Sequence, residues 1–343
     1  MALTIIVPGM LSFLLTLALI FKGGSLAKKL RLIDVPGGRK KHLHATPLMG
    51  GLTIALIIAP MMIGYVMIFP DYYQNAVVAI TSVGFLITAL AIIDDRIHIP
   101  AIIRLLISAL IFGVAMWMIP GLQIGIISWA GGTEYISLGR FTILLTILSL
   151  VALINAINMA DGKNGLVTGL CFGFSFILLI SARIDLAPVL SILVGATFAL
   201  FFFNLNGRIF LGDGGSYGLA ALIGMLAIYI YQRSDILISA DQIGLMFMLP
   251  VGDVARLIVV RTRAGKSPLE PDRNHLHHLL QDRIGWRNGL LLYWSMVFFP
   301  ITVAIILPHL TILMILLSIV AYFIVLWATR KSIGKVRTTR FRN

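Results

Sequence analysis

Charge is scarce in this chain of 343 residues: Asp, Glu, Lys and Arg make up 12% of it, against roughly 25% in an ordinary soluble domain. A free-standing soluble globule of this length is thereby excluded, because it needs far more ionised surface. Cysteine is scarcer still. The single thiol, Cys171, lies in an apolar stretch, which leaves no internal disulfide and no cysteine-based metal cluster to build. Carboxylates number only 14, few enough to place one by one. No internal repeat is visible, and long polar segments are confined to about 22–47 and 261–288.

What is abundant is apolar sequence. Hydrophobic residues make up 59% of the chain, and they recur in runs of about 20, the length that crosses a bilayer as a helix. Spans are predicted at 2–21, 48–69, 75–93, 101–119, 141–157, 165–182, 186–204, 217–232, 241–260, 289–307 and 311–329. The expected fold is therefore an all-α integral membrane protein, a polytopic bundle of about 11 transmembrane helices. Only Arg183-Ile184-Asp185 separates the sixth and seventh spans, and Pro308-His309 predicts a tight reversal between the last two. The first run has no basic residue before it and continues to Phe21, so it reads as a retained span rather than a cleaved signal peptide. One polytopic domain is read over 1–329, followed by a basic tail over 330–343 set against anionic headgroups.

Basic residues gather on the cytoplasmic side of membrane proteins. If the segments after the odd-numbered spans share one side, it holds all 27 Lys and Arg residues except Arg140, Arg183 and Arg233. This predicts an external N-terminus and a cytoplasmic C-terminus. The net charge of +13 becomes a signal of topology, with the lipid bilayer as partner and no nucleic acid. A homodimer stays open.

Nine acids fall on the same side or at that end of a span: Asp34, Asp94, Asp95, Asp161, Asp213, Asp253, Glu270, Asp272 and Asp282. A carboxylate at a membrane boundary is costly unless paired, hydrated or bound to a metal. Any one of them can be an interfacial residue that merely ends a helix. Several within unusual local sequences outweigh that bland explanation. In Asp94-Asp95-Arg96, neighbouring helical side chains point about 100° apart, so one acid can face a ligand while the other meets a base such as Arg96. The turn Asn155-Ala-Ile-Asn158-Met-Ala-Asp161-Gly-Lys-Asn164-Gly165 offers oxygen ligands of the kind a hard cation such as Mg²⁺ prefers.

Phe210-Leu-Gly212-Asp213-Gly214-Gly215-Ser216 reads as a glycine-rich loop ahead of a span, its amides and carboxylate turned to a phosphate–metal pair. The plainer alternative is a flexible turn with a capping Asp. It is not a Walker A loop, since no Gly-Lys-Ser/Thr follows. In Asp272-Arg273-Asn274-His275-Leu-His277-His278, zinc is disfavoured: no Cys is near and two of the histidines are adjacent. Neutralising a diphosphate suits these cations better. Asp253 and Arg256 read as an intramembrane pair, for packing or for supporting the site from behind.

Together these pieces resemble the polyprenyl-phosphate N-acetylhexosamine-1-phosphate transferases, specifically the WecA/TagO branch, with MraY more distant. Asp34-Val-Pro36-Gly-Gly-Arg39-Lys40-Lys-His42, followed by Pro47-Leu-Met-Gly50-Gly51, is similar to the family's first cytoplasmic loop. Asp94-Asp95-Arg96, the Asn155–Gly165 turn, Phe210-Leu-Gly-Asp213 and the His-rich segment follow in the family's order. Each motif alone is weak; five in sequence are specific. One departure is Asn164, where bacterial members usually carry Asp in a DGxDG pattern. Eukaryotic relatives have Asn there, so the position need not hold a charged catalyst.

The resemblance implies transfer of an N-acetylhexosamine 1-phosphate, first choice N-acetylglucosamine, from a UDP-sugar to a polyprenyl (undecaprenyl) phosphate. UMP would be released and the lipid diphosphate would start a cell-envelope glycan, such as O-antigen or teichoic acid. It also implies a site facing the cytoplasm in the bacterial inner membrane, built from 22–47, 94–104, 155–165, 204–216 and 261–288. Mg²⁺, with Mn²⁺ as a substitute, would sit on Asp213 and Asn158. Asp94, Asp95, Asp161 and His275 are the implied catalytic group, with Asp94 deprotonating or orienting the lipid phosphate. Phe210 (stacking on uracil), Asn164, Arg104, Arg273, His277 and His278 would bind nucleotide and sugar; Arg39, Lys40 and His42 would bind the lipid phosphate. The competing readings are an MraY-type transferase of a phospho-N-acetylmuramoyl-pentapeptide, which the form of the His segment argues against, and a lipid or solute transporter.

Overall fold

The computed structural model describes residues 2–34, 45–71, 73–233, 238–267 and 272–340. The main helices are α1 (Ala2–Lys22), α2 (Gly50–Ile68), α3 (Gln74–Ile97), α4 (Ala101–Met118), α5 (Thr142–Ala160) and α6 (Leu166–Ser181). They are followed by α7 (Ala187–Leu205), α8 (Gly212–Tyr231), α9 (Ala240–Arg263), α10 (Leu276–Ile284), α11 (Trp286–Ile306) and α12 (Thr311–Arg340). Among the described residues, ten helices are long and apolar enough to cross a membrane; α6 is apolar but spans 16 residues. The chain is a polytopic all-α membrane protein. Large apolar side chains such as Leu106, Leu110 and Trp117 stand exposed on helix faces, as lipid-facing residues do.

The chain divides into two compact units, one of Met1–Ile126 with Ser137–Leu237, the other of Ile127–Ile136 with Ile238–Asn343. In the first unit α8 is the central helix, buried from Gly214 to Tyr231 and packed against α3, α5 and α6. α7 packs against α1 and α6. The glycine-rich stretch before 217 is not the expected loop: α8 already begins at Gly212 and carries Asp213 in its first turn. A Cβ on Gly215 would lie 2.7 Å from the Gly50 Cα, and one on Gly218 would lie 1.9 Å from the Thr88 Oγ1. Here the glycines let backbones approach, as small residues do in membrane bundles.

A short antiparallel pairing sets Ile33 against Pro47 and Asp34 against Thr46. The segment leaving it runs beside the start of α8. Phe210 N–H donates to the Pro47 carbonyl at 3.0 Å, and Met49 N–H donates back to Phe210 at 2.9 Å. In the second unit, the expected reversal between the last two helices is a single 3₁₀ turn, Pro308–Leu310. The amphipathic α10 buries Leu276, His277, Leu279 and Leu280 and packs against α11 and α12.

Candidate active site

In the first unit, four helices bring their ends to one cluster. α3 ends at Ile97 because His98 adopts a left-handed conformation (φ 53°) and Pro100 follows. That turn aims the Ile99 N–H at the Asp94 Oδ1, at 2.7 Å. The other Asp94 oxygen pairs with Arg104 on the first turns of α4. Asp94 is buried, whereas Asp95 is exposed. The base expected beside the pair, Arg96, donates to the Leu30 carbonyl at 2.6 Å; Arg104 meets Asp94. The Arg104 guanidinium lies over the Tyr217 ring, 5.3 Å from its centre, and its Nε is buried without a partner.

Tyr217 donates its hydroxyl to Asn155 at 3.0 Å. One helical turn on, the Asn158 amide nitrogen donates to Asp213 Oδ1 and lies within hydrogen-bond distance of the Ser216 Oγ, both at 3.0 Å. The Asp161–Gly165 turn is held from below by Asn204, whose side-chain oxygen accepts the Gly165 N–H at 2.7 Å and the Thr168 hydroxyl at 2.9 Å. The Asn204 amide donates to the Ile209 carbonyl at 3.0 Å, so one residue joins this turn to the approach to Asp213. Gly165 takes φ 83° there, a conformation suited to glycine. Asn164 packs at Gly207: a Cβ on that glycine would lie 2.9 Å from its amide nitrogen.

Burial in the turn, reinforced by the Asp213 charge, pushes the Asp161 carboxyl up to about 7. Two carboxylates thus repel each other beside an amide whose nitrogen is already committed, leaving the Asn158 oxygen as a donor of electron pairs. All these groups are oxygen donors, and no set of three His, Cys, Asp or Glu gathers as a metal cage among the described residues. That chemistry fits a hard cation that keeps waters or substrate oxygens in its shell.

The second unit organises the His-rich segment around Asp253, on α9. Its carboxylate accepts from Arg256 Nη2 at 2.7 Å, Tyr322 of α12 at 2.8 Å and the Leu276 N–H at 3.1 Å, and it meets the His275 Nδ1 at 3.0 Å. Arg256 also donates to the Tyr322 hydroxyl at 2.6 Å and the Asn274 carbonyl at 2.7 Å. The pair that the sequence left open between packing and supporting the site from behind therefore fixes both the rotamer of His275 and the start of α10. The rings of His275 and His277 stack with centres 5.5 Å apart, and those of His277 and His278 lie 4.2 Å apart. Burial would raise the Asp272 carboxyl, but the Arg261 hydrogen bond and the Asn274 N–H outweigh it and hold the group below the usual range. Arg273 is exposed.

Each unit gathers its own part of the expected set: Asp94, Arg104, Asn158, Asp161 and Asp213 in one, His275, His277, His278 and Asp272 in the other. Phe210 stands beside Leu48 at the entry to α8. Arg39, Lys40, His42 and Glu270 lie outside the described residues. Sequence reasoning missed Asn204, Ser216, Tyr217 and Tyr322. An Asn inside the otherwise apolar run of α7 was the one available signal.

Residues 75–231 match glycosyl transferase family 4. The undecaprenyl-phosphate alpha-N-acetylglucosaminyl 1-phosphate transferase of Escherichia coli (strain K12) is 32% identical over 282 residues, covering 78% of this chain and 74% of that protein. The Yersinia pestis protein of the same name is 32% identical over 287 residues, with 78% and 74% covered. A probable undecaprenyl-phosphate N-acetylglucosaminyl 1-phosphate transferase of Bacillus subtilis (strain 168) is 30% identical over 295 residues, with 84% and 80% covered.

Proposed function

The chain belongs to glycosyl transferase family 4, and on that premise we propose that it is a membrane sugar-1-phosphate transferase. It moves N-acetylglucosamine 1-phosphate from UDP-N-acetylglucosamine to undecaprenyl phosphate and releases UMP. The observation that carries this reading is the oxygen-rich constellation of Asn158, Asp161 and Asp213 at helix ends, beside an Asp94–Arg104 pair. We place that end of the helices at the cytoplasmic face, from the distribution of the basic residues.

Phosphoryl transfer is largely positioning and charge neutralisation. Asp213 and Asn158 would hold a divalent cation, with Asp161 beside it. Bound Mg²⁺, with Mn²⁺ as a substitute, supplies Lewis acidity at the diphosphate and offsets charge on departing UMP. Arg104 presents its unpartnered Nε to a phosphate oxygen. Of the two roles expected for Asp94, orienting is the better supported, since Arg104 and the Ile99 N–H already occupy its carboxylate. A phosphate monoester with a second pKa of about 6 is already ionised at neutral pH and needs little help from a base. Phe210 stacks on uracil in this reading. Arg273, His275, His277 and His278 bind diphosphate or sugar, and Asp253 keeps His275 in place for that task.

The test is purified protein in detergent with Mg²⁺, a short polyprenyl phosphate and a panel of UDP-sugars, reading UMP release and the mass of the lipid product. UDP-N-acetylglucosamine is expected to give both. Turnover only with another N-acetylhexosamine would reassign the sugar. No release from any donor, with no exchange of labelled UMP into UDP-sugar, would overturn the transferase reading in favour of transport.

A further inference from the structure

α3 and α4 are joined at one end by the Asp94–Arg104 pair. Further along the same two helices an apolar groove of about 620 Å³ lies between them. Val83 and Leu86 of α3 face Leu110, Ile111 and Val114 of α4 across it, and the small side chains of Ala79 and Ala115 leave it room. Apart from Asn75 and Ser82 its lining is apolar.

The groove is in register with the pair. Asp94 stands 11 residues after Val83, and Arg104 stands 7 before Ile111. At 3.6 residues per turn both offsets return to within about 20° of the same direction. The faces that bring Asp94 and Arg104 together are therefore the faces that wall the groove. Between the two places Ile93 and Ile103 are exposed, so the way along the helices is apolar. Counted at 1.5 Å per residue, the groove opens at Leu86 and Leu110, about 9–12 Å from the pair, and runs to Asn75 and Met118, about 21–28 Å from it.

Those lengths select the occupant. A bilayer core is about 30 Å thick, so the chains of one leaflet end about 15 Å from their headgroups. A phospholipid whose phosphate sits at the level of Arg104 would enter only the mouth of the groove. Filling it from that side takes an anionic head, which the buried and unpartnered Arg104 Nε can meet, on a tail much longer than one leaflet.

We propose that the α3–α4 groove holds the far part of the acceptor's isoprenoid tail and makes turnover sensitive to the length of that tail. The inference rests on the transferase reading and adds to it the path of the lipid. An extended chain gains about 1.2 Å per bond, so a geranyl tail reaches about 9 Å and stops at the mouth, whereas an undecaprenyl tail fills the groove. The tail exchanges lipid for protein, so packing rather than the hydrophobic effect supplies the gain, and the change in KM is modest.

The test is UMP release in phosphatidylcholine nanodiscs with Mg²⁺, UDP-N-acetylglucosamine and either geranyl or undecaprenyl phosphate, with a thermal melt of each variant. Ala79→Trp and Val114→Trp plug the groove from opposite walls. Each should raise KM for undecaprenyl phosphate about five-fold and change KM for geranyl phosphate by less than about two-fold. Partitioning of each acceptor into the disc is common to wild type and variants, so it drops out of that comparison. Leu106→Trp, at an exposed position of α4 outside the groove, should change neither KM. An undecaprenyl phosphate KM unmoved by both folded plugs, or a geranyl phosphate KM raised equally with it, would overturn the groove as the path of the tail and leave the transferase reading standing. No release by the wild type with either acceptor would overturn the transferase reading, and this inference with it.

Discussion

Asp213 and Asp253 are both half-membrane acids on long helices, one in each unit, and their surroundings are opposite. Asp253 is saturated: Arg256, Tyr322, the Leu276 N–H and His275 occupy its two oxygens, and only 4% of the residue is exposed. The Asp213 carboxylate accepts one hydrogen bond, from the Asn158 amide, and its charge bears on a second acid, Asp161. A saturated carboxylate has nothing left for a ligand and can only hold other groups in place. An under-coordinated one near a like charge keeps lone pairs free for a ligand, which is why we propose Asp213 as the cation-binding acid. The difference separates a binding acid from a positioning acid without reference to any relative.

The comparison breaks most sharply at Asp213. Asp213→Asn should lower kcat about 10³-fold while shifting the thermal midpoint by no more than about 2 °C, since the carboxylate accepts one hydrogen bond within the fold. Steady-state UMP release alongside a thermal melt would check this. Wild-type turnover would remove Asp213 from the centre of the site, and a collapsed melt would make it another Asp253.

Asp253→Asn should behave in the reverse order. Removing the charge leaves the Arg256 guanidinium, 11% exposed, without its counter-ion, and breaking such a pair costs roughly 3–5 kcal/mol. The melt should fall by several degrees. Turnover should fall through a raised KM for the UDP-sugar, because His275 loses its anchor. A stable variant with lost kcat would reverse the assignment. Asp94→Asn is intermediate: kcat should fall about 10–100-fold with little change in UDP-sugar affinity, as Arg104 loses its partner but keeps its place over Tyr217. Loss of that affinity alone would move Asp94 to the nucleotide side.

Much of this was legible in the chain because ionised groups are expensive at membrane boundaries, so Asp94, Asp161 and Asp213 stood out against an apolar background. The helices were legible for the same reason. The start of α8 was not, because glycine reads equally as loop slack and as close packing. Only the positions of Gly50 and Thr88, more than 120 residues earlier in the chain, decide between the two. Nor were the neutral partners. Asn204, Ser216 and Tyr217 cost little in sequence terms and become meaningful when their hydrogen bonds are seen. The saturation of Asp253 depends on Tyr322, 69 residues away, a separation with no helical or strand periodicity to betray it.

Tyr322→Phe tests that saturation most finely. Its hydroxyl donates to Asp253 at 2.8 Å and accepts from the Arg256 Nε at 2.6 Å. Both partners keep other bonds, because Arg256 still reaches Asp253 through Nη2 and Asp253 still holds His275 and the Leu276 N–H. The loss should therefore be about 1 kcal/mol, a small drop in the melt, with KM for the UDP-sugar changed less than three-fold. In a double-mutant cycle with Asp253→Asn the two effects should be strongly non-additive, since both act on one network. Additivity would mean that Tyr322 supports α12 packing alone, and the positioning of His275 would then rest on Arg256 and Asp253 without help from the last helix.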